Sequence, residues 1–176
     1  MFAKVRARLE QNQWDLIVRV CHWGIAAAVL ANYWILEEGD APHEWVGYVM
    51  LALIVCRVIW GFIGTSPAQF KSFFPTPARL KHYLSQAPSS FNREHPSHNP
   101  LGGLMAIFLW TTLLVCGVSG WMQEFDMFWG EDWVENLHST AADVAIVAAA
   151  IHVLAVFSMQ KYSGVPLVKA MVFGRR

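Results

Sequence analysis

Between Arg19 and Arg57, and again between Arg93 and Lys161, the chain contains no lysine or arginine. Charged residues of either sign make up only 15% of its 176 residues, against about 25% in ordinary soluble domains. With 55% hydrophobic residues beside that shortage, a water-soluble domain is excluded and a lipid environment is expected. Cysteine is scarce as well. Cys21, Cys56 and Cys116 form no C-x-x-C pair, which excludes covalent attachment of a c-type haem and the usual iron–sulfur ligand runs; each is read as a small buried side chain. The apolar run that follows the basic N-terminus is too long for a secretory signal, so it is read as a retained helix. No nucleic-acid partner is expected.

The hydrophobic residues fall into four runs, about 16–36, 45–64, 101–122 and 138–159, each near the roughly 20 residues that a helix needs to cross a bilayer. Membrane strands would alternate over about 10 residues, and these runs are continuously apolar. The fold predicted is therefore all-α, an integral membrane four-helix bundle, organised as a single membrane domain over 1–176 with one long loop at about 65–100. Within that loop Thr76-Pro77 reads as an N-cap followed by proline at the first helical position, predicting a short surface helix over 77–86. The stretches 87–90 and 95–100, rich in proline and serine, are expected to be irregular.

Charge supplies the orientation. The two intervals without lysine or arginine hold eleven of the thirteen acidic residues, while Lys4, Arg6, Arg8, Lys71, Arg79, Lys81, Arg93, Lys161, Lys169, Arg175 and Arg176 lie outside them. By the positive-inside rule both termini and the middle loop are cytoplasmic, and the two acidic loops face outward. For a bacterial inner membrane that outward face is the periplasm.

Four histidines stand at or within the spans. His138 and His152 are fourteen residues apart on the fourth, which brings them to within about 40° of the same face and roughly 21 Å apart along a helix. His22 sits in the cytoplasmic half of the first span at a depth matching His152, and His43 opens the second span at the outer surface, where His138 opens the fourth. Two ligands of one haem iron must approach from opposite sides at one level. The depth match therefore predicts two b-type haems, an inner one on His22 and His152 and an outer one on His43 and His138. An iron with two imidazole ligands has no open position for oxygen chemistry, so electron transfer is the expected task. Arg19 and Arg57 are candidates to pair with haem propionates, and small residues such as Gly24, Gly47, Gly117, Gly120 and Ala145 are candidates to make room for the ring. Asp143 lies off the histidine face and reads equally as a proton acceptor or an interfacial residue. His82, His95 and His98, in the polar loop, are expected to be solvated.

Several short motifs occur in order along the chain: Arg19-Val20-Cys21-His22-Trp23, His43-Glu44-Trp45-Val46-Gly47-Tyr48, Arg57-Val58-Ile59-Trp60-Gly61-Phe62 and His98-Asn99-Pro100-Leu101-Gly102-Gly103. With His138 and His152 they resemble the bacterial cytochrome b561 family, which is similar to the b-type cytochrome subunits of nickel-iron hydrogenases. The resemblance runs from about Trp14 to the C-terminal end. It implies a four-helix di-haem membrane cytochrome exchanging electrons with the quinone pool, with ligands at His22, His43, His138 and His152. It also implies a redox partner, which in the family is a periplasmic c-type cytochrome, superoxide or a hydrogenase. The acidic outer loops favour a basic cytochrome c over the superoxide anion. A superoxide:quinone oxidoreductase and a haem-bearing anchor subunit of a hydrogenase-like complex are the alternatives. Trp133, beside Phe128 and Trp129, is the candidate for a quinone pocket near the outer haem, although an aromatic belt at the membrane surface would use the same residues.

Overall fold

The computed structural model describes residues 14–85 and 99–174. Lys4, Arg6, Arg8, Arg93, His95, His98, Arg175 and Arg176, and the expected irregular stretches 87–90 and 95–98, lie outside the described residues. Every regular element among those described is helical: α1 Leu16–Trp34, α2 Ala41–Ile63, α3 Phe70–Phe73, α4 Pro77–Ser85, α5 Pro100–Met122, α6 Asp132–Ser163 and α7 Leu167–Phe173, with a single 3-10 turn at Ser66–Ala68. Four of them, α1, α2, α5 and α6, are long and apolar enough to cross a membrane. The chain is an all-α, multi-pass membrane protein. Its large apolar side chains point outward in numbers that only lipid can accommodate, including Ile35 at 77% exposure and Phe62 and Ile63 at 71%.

Local chemistry sets the helix ends. Asp15 caps α1, its Oδ1 accepting the Val18 amide at 2.9 Å. Asn99 does the same for α5, accepting the Gly102 amide at 2.7 Å, with Pro100 at the first helical position where its missing N–H costs nothing. Thr76 Oγ1 accepts the Arg79 amide at 3.3 Å, as expected for the start of α4. Helix α6 begins at Asp132, six residues before the apolar run. Asp132 and Glu135 in its first turn complement the positive end of the helix dipole, so the helix starts in the acidic outer segment and His138 lies in its second turn.

The chain divides into two compact units, Met1–Arg19 with Val58–Ala106 and Ile151–Arg176, and Val20–Arg57 with Ile107–Ala150. In the first, Trp14, Val18, Ala68 and Ala170 are buried together, with Trp60 and Met171 packed against them. Asp15 Oδ2 accepts from Trp60 Nε1 at 2.9 Å and from Thr65 Oγ1 at 2.6 Å, which ties the start of α1 to the end of α2. Tyr83 is buried on α4 and its hydroxyl accepts from Asn99 Nδ2 at 3.1 Å; burial pushes its pKa up, and the Asn99 bond offsets part of that.

Gly103 on α5 makes a close approach to the main chain of another helix in that unit. A Cβ there would lie 2.5 Å from the Phe73 carbonyl oxygen, and Phe73 is itself buried on α3. Gly103→Ala is expected to cost about 1–3 kcal/mol of stability through overpacking, because backbone cannot swing aside as a side-chain end can. A thermal melt of the detergent-solubilised variant that matches the parent would show that α3 yields freely.

In the second unit α1, α2, α5 and α6 all contribute and touch one another. Gly24 on α1 meets Leu53 on α2, Gly117 on α5 meets Leu51, and Gly120 on α5 meets His138 on α6. Ala28, Ala141, Ala145 and Ala148 are buried, so helices approach closely along small side chains. Ser119, 1% exposed, satisfies its hydroxyl on its own helix through Val115 O at 2.7 Å and Cys116 O at 3.0 Å.

Candidate functional site

Among the candidate ligands of the second unit, His43 and His138 come together. Their ring centroids are 6.1 Å apart with planes at 64°. The first turn of α2 carries His43, and Asn32 Nδ2 on α1 donates to its carbonyl oxygen at 3.1 Å, fixing that turn. His138 is held from α5: its Nδ1 lies 2.8 Å from the Cys116 carbonyl oxygen. A carbonyl only accepts, so Nδ1 carries the proton and Nε2 keeps its lone pair. Gly120 makes this contact possible. A Cβ at Gly120 would stand 2.9 Å from His138 Cε1 and 3.0 Å from Nδ1, so any side chain there would push the imidazole off the carbonyl.

The pair lines a cavity of about 580 Å³, within the roughly 300–1,000 Å³ of ligand and cofactor pockets. Several tests of fit to a metal-centred ring converge there. Two imidazole–metal bonds of about 2 Å, plus the distance from each nitrogen to its ring centre, put the centroids roughly 6 Å apart. His43 Nδ1 is buried with no hydrogen-bond partner among the described residues, which a bare protein pocket would not favour. The oriented Nε2 of His138 is the arrangement that a ligating histidine needs, its other nitrogen anchored on an acceptor. Gly47, Gly117 and Gly120 line the same space without side chains.

The electrostatics are one-sided. Residues 20–57 and 107–150 contain ten carboxylates and a single cation, Arg57. Arg57 is 3% exposed, with its guanidinium carbon 4.9 Å from the centre of the Trp110 ring. None of the residues lining the cavity is Lys or Arg.

The remaining candidates stand as follows. His22 is half-buried on α1, its ring edge-on to Trp23 at 5.0 Å. His152 is half-buried on α6, two turns beyond the buried Ala145. Arg19 Nη2 donates to the Val172 carbonyl, so this side chain caps the C-terminal end of α7, where Gly174 takes a left-handed φ of 73°. Trp133 is 53% exposed and edge-on to Phe128 at 5.9 Å; it is not among the residues lining the cavity. His82 is exposed on α4. Asp143 does line the cavity, and its Oδ1 accepts from the Tyr33 hydroxyl at 2.6 Å. Three parts of the site went unforeseen in the sequence: the Cys116 carbonyl, the Asn32 brace and Tyr33. A main-chain acceptor leaves no mark in a sequence, and Asn32 and Tyr33 sit in an apolar run that reads only as a span.

No curated protein and no solved structure gives a significant match to the chain. A family match does exist, to prokaryotic cytochrome b561, and it extends over residues 13–174. That range takes in all four spanning helices and the histidine pair, and so the chain belongs to the prokaryotic cytochrome b561 family, the membrane b-type cytochromes of electron transfer.

Proposed function

We propose that this chain is a di-haem b-type cytochrome of the bacterial inner membrane, passing electrons between the quinone pool and a basic c-type cytochrome on the periplasmic face. The single observation that carries the reading is the His43–His138 pair, 6.1 Å between ring centres, with His138 anchored on a carbonyl through Nδ1. Those two side chains would hold the outer haem. Bound there, haem would supply a one-electron ferric–ferrous couple, and the two histidines on its iron would leave no site for oxygen.

The chain's own residues do the rest. The Cys116 carbonyl and Asn32 fix the two ligand-bearing turns, which limits the rearrangement that accompanies each change of charge. His22 and His152 would hold the inner haem, by the depth match in the sequence, and Arg57 is the cation available within the span to balance propionate charge; Arg19 is the second propionate candidate, sharing that role with its contact to Val172. Both termini and the basic loop lie in the cytoplasm in this reading. The acidic outer loops, from Glu37 to Glu44 and from Glu124 to Glu135, steer a basic partner to the outer haem, an attraction that weakens with salt.

Purified protein in lipid nanodiscs, given a short-chain quinol without oxygen, is expected to show reduced b-type haem absorption, and then reoxidation by a basic cytochrome c at a rate that falls as salt rises. Haem that stays oxidised with quinol yet reduces with dithionite would remove the quinone link.

A further inference from the structure

Of the carboxylates lining the cavity beside the outer histidines, Asp143 alone lies beyond the first turn of a spanning helix. Asp143 is five residues beyond His138 on α6, roughly 7.5 Å further along the axis, and its partner is the Tyr33 phenol at 2.6 Å rather than a cation. The unit's single cation, Arg57, is not among the residues that line this cavity. A carboxylate kept at membrane depth without a cation is expensive, and such residues mark proton or ion routes. Both side chains are exposed, Tyr33 at 39%, so a lipid-dissolved molecule reaches them from the side of the bundle.

We infer that Asp143, held by Tyr33, is the proton acceptor for a quinol that reduces the outer centre. The inference rests on the quinone-linked function proposed above and assigns a residue to the half of that reaction which haem cannot perform. Quinol oxidation breaks two O–H bonds and releases two electrons and two protons. The outer haem would take the electrons one at a time, handing the first to the periplasmic cytochrome c before it accepts the second. The first proton bonds to the Asp143 carboxylate and passes to the outer water; the freed carboxylate then takes the second, leaving quinone.

The other titratable groups around the cavity fit this order. Glu38 lies in the turn after α1, Glu44 in the first turn of α2, Glu124 beyond the end of α5 and Glu135 in the first turn of α6, all on the acidic outer side, where they relay a proton outward. His43 and His138 are occupied as ligands in this reading. Tyr48 on α2 and Cys116 on α5 complete the titratable lining.

The test compares parent, Asp143→Asn, Asp143→Glu and Tyr33→Phe in nanodiscs, using a short-chain quinol as electron donor and dithionite as a donor that delivers no proton. Haem content and dithionite reduction are expected to be unchanged. Quinol-driven reduction by Asp143→Asn should fall roughly 100-fold or more, because an amide cannot accept a proton. Asp143→Glu should recover part of that rate. A parental rate in Asp143→Asn would overturn the assignment while leaving the quinone link intact; a parent inert to quinol would remove both. Should Asp143→Asn fail to assemble, Tyr33→Phe decides, since it keeps the ring and loses only the hydroxyl: a slowed rate supports the assignment and an unchanged one overturns it.

Discussion

Replacing His138 with alanine is expected to take the protein from two haems per chain to one, with the outer haem lost and the inner retained. Removing one imidazole withdraws one of the two side chains that would tether the haem to the protein and leaves His43 as the sole ligand at that site. His43→Ala should give the same result from the other side. The informative control is Cys116→Ala. The anchor on His138 Nδ1 is the main-chain oxygen of that residue, 2.8 Å away, and the thiol lies further off at 3.8 Å. Deleting the thiol leaves the carbonyl in place, so both haems should remain. Haem extraction and quantification against protein checks all three variants. Two haems in His138→Ala would move the outer ligand elsewhere.

Gly120→Val should damage the same centre without touching a ligand. Its Cβ would fall within 3.0 Å of the His138 ring, and the ring has no room to retreat while it stays bonded to the Cys116 carbonyl one turn away. Overpacking of this kind costs about 1–3 kcal/mol. Expressed as haem affinity, that is roughly 5- to 150-fold weaker binding at the outer site. Gly117→Ala on the same helix offers the contrast. Its Cβ would meet Leu51 Cδ2 at 2.5 Å and Cγ at 2.8 Å, a closer approach on paper, but the obstacle is a flexible side chain that can change rotamer rather than an anchored ring. Competitive haem transfer to an acceptor protein separates the two: Gly120→Val should lose its outer haem quickly and Gly117→Ala at close to the parental rate. Equal rates would mean that the His138 anchor contributes little.

Much of the architecture was legible because membrane spans obey a simple rule of length and polarity. All four spans appear as helices, and the short helix expected from Thr76-Pro77 is present at Pro77–Ser85. Hydropathy reports what lipid covers, however, and hydrogen bonding decides where a helix starts. That is why α6 begins at Asp132, well outside the apolar run, and continues to Ser163. Helices α3 and α7 gave no signal in the sequence. They are short, and contacts distant in sequence hold them: Phe70 against Gly61 in one case, Ala170 among Trp14, Val18 and Ala68 in the other.

The candidate site divides in the same way. Depth matching brought His43 and His138 together from positions 95 residues apart, because the membrane supplies a coordinate that sequence alone usually lacks. Asp143 stood out as an acid inside a span, but its partner Tyr33 did not, since tyrosine near the end of a span is ordinary. Aromatic content pointed to Trp133, whereas the described cavity is lined by Tyr33, Tyr48 and Trp121.

The most direct measurement is low-temperature electron paramagnetic resonance on the oxidised, purified parent, with haem counted on the same sample. Two low-spin ferric haems per chain, each with the signature of two imidazole ligands, are predicted. A high-spin signal from an iron with an open position, or protein that carries no haem, would contradict the histidine pairing at the centre of the proposed function.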